Sequence, residues 1–152
     1  KKNRLIVAGK KKAKSNFRKS RTLARLMIVQ ALYQMQLADH EVKELLSQCR
    51  ERDDYKKIDK IYFTQAIRTI YKSKAEFLAG IEVYLDRSIS QIDPIEMGIL
   101  LLGYYELEMK REIDIGVIIN EAVNLAKRFG SLDGHKYINA VLDRAAKVIR
   151  AA

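Results

Sequence analysis

The sequence predicts an all-α protein, and three observations carry that expectation. One proline and seven glycines in 152 residues leave little to interrupt a helix. No stretch alternates polar and apolar residues between turn signals, as a half-buried strand would. Ala, Leu, Lys and Glu are abundant, and apolar residues recur at three- and four-residue intervals along most of the chain.

The elements follow from caps and periodicity. Residues 1–17 lack an apolar repeat and are expected to form a basic flexible arm ahead of a single helical domain over 18–152. Ser20 is placed to cap a first helix over about 20–38, with Ala24, Ile28, Ala31, Leu32 and Met35 as its core stripe. "DHEVKELLSQCRER" follows, capped by Asp39, with Val42, Leu45, Leu46 and Cys49 facing inward. From about 58 to 87 runs a helical region with Ile58, Ile61, Phe63, Ile67, Ile70, Phe77, Ile81 and Leu85 as its apolar positions. It is either one helix or two joined near Lys72–Lys74. Asp93 as cap, Pro94 at the first helical position and Glu96 three residues after the cap mark the clearest helix start. "SISQI" therefore divides two halves, about 18–90 and 91–152. The helix over about 94–109 is apolar on most faces and is expected at the centre. The next helix ends at Gly130, with Lys127 and Arg128 in its last turn where the helix dipole favours cations. After the loop "SLDG" a final helix offers Tyr137, Ile138, Val141, Leu142, Ala145 and Val148 for packing, giving about seven helices.

Charge is segregated. The net charge is +10, yet residues 1–38 hold eleven Lys and Arg and no acid, leaving 18 basic against 19 acidic residues in 39–152. A single-sign block repels itself and is best neutralised by a polyanion, for which nucleic acid offers salt-sensitive phosphate contacts. At 100° per residue, Arg18, Arg21 and Arg25 fall within about 60° of one another, a cationic ridge beside the core stripe. Arg21 and Arg25 could then hold phosphates bidentately. Tyr33 and Tyr137 are amphipathic candidates for stacking on exposed bases, with core packing the competing role for each.

Other chemistries find little support. His40 and His135 are far apart, no Cys/His cluster has a metal-like spacing, and phosphate-loop, dinucleotide and nucleophile-elbow motifs are all missing. No enzyme activity and no cofactor are expected. The single cysteine, Cys49, reads as a small packing residue of a reducing cytoplasm. No run approaches the ~18 apolar residues of a membrane helix, so no membrane partner is expected.

Three blocks carry a family resemblance: "ARLMIVQALYQMQL", "GILLLGYYEL" and "INEAVNLAKRFGSLDGHKYINAVLDRAAKVIR". In this order, over about 20–150, they resemble the bacterial transcription antitermination factor NusB. The resemblance implies two three-helix bundles with an extra helix. It also implies binding of the boxA element of nascent ribosomal-RNA transcripts with ribosomal protein S10, within an antitermination complex on RNA polymerase. Carried over by position, the RNA-binding residues are Arg18, Arg21, Arg25, Tyr33, Glu96, Asp133, Lys136 and Tyr137. Some family members self-associate over the RNA face, so a homodimer is a further implied state. Leu101 stands where the family often has an arginine, Gly134 where a serine is usual, and "YINA" replaces "FVNG". Two other readings stay open: the RNA-binding domain of an rRNA cytosine-5 methyltransferase without its catalytic domain, and a protein-interaction module whose basic arm only solubilises it.

Overall fold

The computed structural model describes the backbone of residues 2–129 and 133–151, with side chains from residue 9 onward. Seven α-helices account for most of it, and no strand occurs among the described residues. They are α1 (Lys2–Leu37), α2 (Val42–Arg50), α3 (Lys60–Lys72), α4 (Lys74–Glu82), α5 (Pro94–Met109), α6 (Ile115–Arg128) and α7 (Gly134–Ile149). Short 3₁₀ turns at Asp53–Lys57 and Ile89–Gln91 complete the order.

α1, α2 and α3 pack as one bundle and α5, α6 and α7 as the second, with α4 against α5 and α1 lying along both. The core stripe of α1 is as expected: Ala24, Ile28, Ala31, Leu32 and Met35 are all buried. α5 is the central helix, buried from Met97 through Leu107. Its start is fixed by Asp93, whose carboxylate accepts from the backbone N–H of Ile95 (2.8 Å) and Glu96 (3.2 Å). The helical region after residue 58 resolves into two helices that meet at Ser73, within the joint expected at Lys72–Lys74. α6 is described to Arg128 with Phe129 as its C-cap, and Gly130 and the first two residues of the "SLDG" loop lie outside the described residues.

Three expectations are corrected. The segment read as a flexible arm is helical: α1 begins at Lys2, not near residue 20. Lys, Ala and Arg are strong helix formers, and a helix growing out of a packed one needs no new nucleus, so propensity extends α1 where no core stripe exists. Ser20 accordingly caps nothing, and its Oγ donates to the Phe17 carbonyl one turn back (2.9 Å). Ile61 and Val148 are exposed at 74% and 64%, while Tyr62 and Ala146 take the inward positions beside them. In α3 the polar tip of Tyr62 explains the rotation, since its hydroxyl meets a buried carboxylate, Glu106.

Close contacts set the register. A Cβ on Gly103 would come within 2.8 Å of the Leu142 methyl groups, so α5 and α7 approach closely there and a larger residue would make Leu142 shift. Further along, Arg150, which caps the C-terminal end of α7, donates to the carbonyls of Leu107 (2.8 Å), Glu106 (3.1 Å) and Lys110 (3.1 Å), closing the C-terminal end of α5. α5 and α7 therefore run parallel. α1 runs antiparallel to α5: Arg25 reaches Glu106, and Gln36 donates to the Pro94 carbonyl (2.9 Å). α1 thus carries one cluster of candidate residues to each end of the central helix.

Candidate nucleic-acid interface

The first cluster lies where α1 passes the C-terminal end of α5. Arg18 is exposed. Arg21 is half-buried, its Nε donating to Asp59 (3.1 Å) and its guanidinium 3.9 Å from the centre of the Tyr62 ring and 4.9 Å from that of Phe17. Asp59 also caps α3 by accepting from the Tyr62 N–H. The guanidinium of Arg21 is thereby held in one orientation while part of it stays in contact with solvent.

Arg25 does not belong to the exposed ridge. It is 3% exposed, donating from Nε to both oxygens of Glu106 (3.2 and 3.0 Å) and lying 3.6 Å from Glu121. Burial works against its charge, but the field and hydrogen bonds of Glu106 outweigh that and raise its pKa above the ordinary arginine value. The helical-wheel reading placed Arg25 at the edge of the apolar stripe. The structure puts it inside, because Glu106, Tyr62 and Glu121 converge there from three other helices. Arg25 is thus a buried, ion-paired residue and not part of an exposed ridge.

The second cluster lies at the N-terminal ends of α5 and α7. Tyr137 is half-buried, and the guanidinium of Arg87 sits 4.0 Å over its ring. Arg87 Nε donates to Asp86 (2.9 Å), and this bond holds the Asp86 carboxyl below its usual range and raises the Arg87 guanidinium. Burial pushes the Tyr137 phenol up, and the Asp86 charge adds to it. Glu96, half-buried on the first turn of α5, contributes to the field at Arg87. Asp133, the N-cap of α7, and Lys136 on its first turn are exposed, with the Lys136 Nζ 3.9 Å from the Asp133 Oδ1. Tyr33 is half-buried on α1, one turn before the Gln36 that contacts the start of α5.

A family model described as NusB family matches residues 22–147 of this chain. The chain belongs to the NusB family. It is 38% identical over 135 residues to the transcription antitermination protein NusB of Nitrosomonas eutropha, covering 89% of this chain and 81% of that one. It is 37% identical over 145 residues to the protein of that name from Pseudomonas entomophila, covering 95% and 85%. A solved structure of T. maritima NusB superposes with a TM-score of 0.72 at 28% identity, covering 83% of this chain and 89% of that one. No described helix is long and apolar enough to cross a membrane.

The NusB fold thus gathers Tyr33, Glu96, Asp133, Lys136 and Tyr137 towards one end of α5 and leaves Arg18 and Arg21 at the other. Twelve residues of α1 separate Arg21 from Tyr33, about 18 Å at 1.5 Å per residue. Leu101, at the position where the family often has an arginine, is fully buried and adds nothing to this surface. Two residues beside these clusters carry no signal strong enough to single them out in the sequence. Phe17 lines a groove with Arg18 and Arg21, and an aromatic set among cations was the available signal. Arg87 lies in the linker between α4 and α5, where no periodic pattern distinguishes it.

Proposed function

We propose that this chain is an RNA-binding antitermination factor. On this reading it takes the boxA element of nascent ribosomal-RNA transcripts together with ribosomal protein S10, in a complex on RNA polymerase in the cytoplasm. The observation that carries the reading is the cationic start of α1. The first 38 residues hold eleven basic side chains without an acid among them, and one guanidinium, that of Arg21, is held at the body surface in fixed orientation. Membership of a family whose named relatives are transcription antitermination proteins supports the same role. Phosphates would be met by Arg18 and Arg21, and bases by the surface around Tyr33, Glu96, Arg87 and Tyr137.

The test is a binding titration of boxA RNA and a base-scrambled control, with and without S10. Preference for boxA, strengthened by S10, is the expected result. Arg21→Ala should weaken both RNAs, whereas Tyr137→Ala should weaken boxA selectively. Equal affinity for both RNAs in every combination would remove the boxA assignment.

A further inference from the structure

Between the part of α1 that leaves the protein body and the first turns of α6 runs a groove of about 690 Å³, lined among others by Phe17, Arg18, Arg21, Gly116, Val117 and Asn120. Phe17 is 55% exposed and Val117 45%, so apolar surface from both walls lies open beside Arg18 and Arg21. The Phe17 ring is not loose against solvent. The Arg21 guanidinium lies 4.9 Å from its centre, itself fixed by Asp59 and by the ring of Tyr62. On the opposite wall Gly116 faces open space, with no atom within 4 Å of where a Cβ would stand. Asn120, exposed on α6, presents both a donor and an acceptor. The one acid of the groove, Glu121, is already engaged, accepting from Thr22 (2.9 Å) and paired with Arg25.

We propose that this groove receives one nucleotide of single-stranded RNA, its base stacked on Phe17, its edge read by Asn120 and its phosphate held by Arg18. The inference rests on the RNA-binding reading above and adds to it a base-stacking site at the end of α5 remote from Tyr137. An acidic peptide with an apolar anchor is the other occupant such a lining could take. The observations favour RNA, because the ring, the fixed guanidinium plane and the amide together match a base, and the adjoining segment carries cations alone.

The test compares the full chain with three variants, Phe17→Leu, Phe17→Tyr and Gly116→Trp, by fluorescence anisotropy with boxA RNA and with oligouridine. Phe17 and Gly116 lie outside the buried core, so thermal melting should be unchanged and serves as the fold control. Phe17→Leu removes the π-face and Gly116→Trp fills the groove from the far wall without touching a charge. Each should weaken RNA binding by about ten-fold, while Phe17→Tyr stays close to the parent chain. Undiminished binding by Phe17→Leu or by Gly116→Trp overturns the proposal, including the case in which the groove serves a peptide instead. A parent chain that binds neither RNA would instead remove the RNA-binding reading itself.

Discussion

Arg25 and Glu106 form a buried ion pair, 3.0 Å apart with only 4% and 2% of their side chains exposed. The pair joins α1 to α5, and the Tyr62 hydroxyl donates to the same carboxylate. Removing one partner strands the other charge in the core, which costs about 3–5 kcal/mol. Arg25→Met and Glu106→Leu should therefore each lower stability strongly in urea unfolding. The double variant should lose much less than the two single losses together, since it leaves no lone charge. If Arg25 touched phosphate, the double variant would also lose RNA affinity; within the folded double variant, binding close to that of the parent chain is expected.

The stack of Arg87 on Tyr137 makes a different kind of prediction. With one guanidinium over the ring, a base approaching this surface meets Arg87 as well as the phenol. Arg87→Ala should weaken boxA binding by about five-fold, in keeping with the loss of one exposed cation–aromatic contact. The same substitution should let the Asp86 carboxyl titrate at a higher pH, because its strongest partner is gone. Carbon-detected NMR titration of Asp86 checks the second outcome independently of RNA.

Features with local causes are legible in this sequence, and those that depend on distant partners are not. Helix boundaries set by local chemistry, such as the Asp93–Pro94 start of α5, were legible because the cap residues bond to their own neighbours. The apolar stripe of α1 is legible because burial follows period, and the central place of α5 because it is apolar on most faces. Arg25 was misplaced because its position depends on Glu106, 81 residues away, and no local pattern announces such a partner. Ile61 and Tyr62 exchanged roles for the same reason, a hydroxyl inward being acceptable only where a distant carboxylate awaits it. The extension of α1 was missed because a helix without a packed face has no period to detect.

Arg150 spans the last turn of α5 and the loop beyond it. Besides Leu107, Glu106 and Lys110, it donates to the carbonyls of Ile113 (3.0 Å) and Arg111 (3.5 Å). These include carbonyls that a helix end leaves without internal partners, and one planar cation serves them together. Arg150→Ala should destabilise the protein by about 2 kcal/mol in urea unfolding. Arg150→Lys should recover less than half of that loss, because an ammonium cannot reach so many acceptors at once.

Alkaline pH should weaken the fold through two tyrosines. Burial pushes Tyr105 up to about 12, and burial and the neighbouring Glu106 charge raise Tyr62 further. In the unfolded chain both phenols titrate near 10. Above pH ~10 the unfolded chain therefore releases protons that the native state keeps, binds fewer of them, and becomes favoured as pH rises towards 12. Below pH ~10 these groups contribute no slope. Urea midpoints measured from pH 8 to 11 should fall only above 10, and Tyr105→Phe should flatten that fall.

The N-terminal extension of α1 determines how binding responds to salt. Lys10, Lys14, Arg18 and Arg21 lie at i, i+4, i+8 and i+11, within about 80° of one helix face and over about 16 Å of its length. That is a line of cations leading from the free part of α1 onto the body. Deleting residues 1–16 removes seven basic residues, Lys10 and Lys14 among them, and leaves Arg18 and Arg21 in place. For each phosphate that the shortened chain no longer neutralises, the slope of log affinity against log salt should fall by about 0.7 for a single strand. Because phosphates carry no sequence information, boxA and scrambled RNA should lose affinity and slope alike. A loss confined to boxA would instead show that the extension reads bases, and the line of cations would then be more than a phosphate rail.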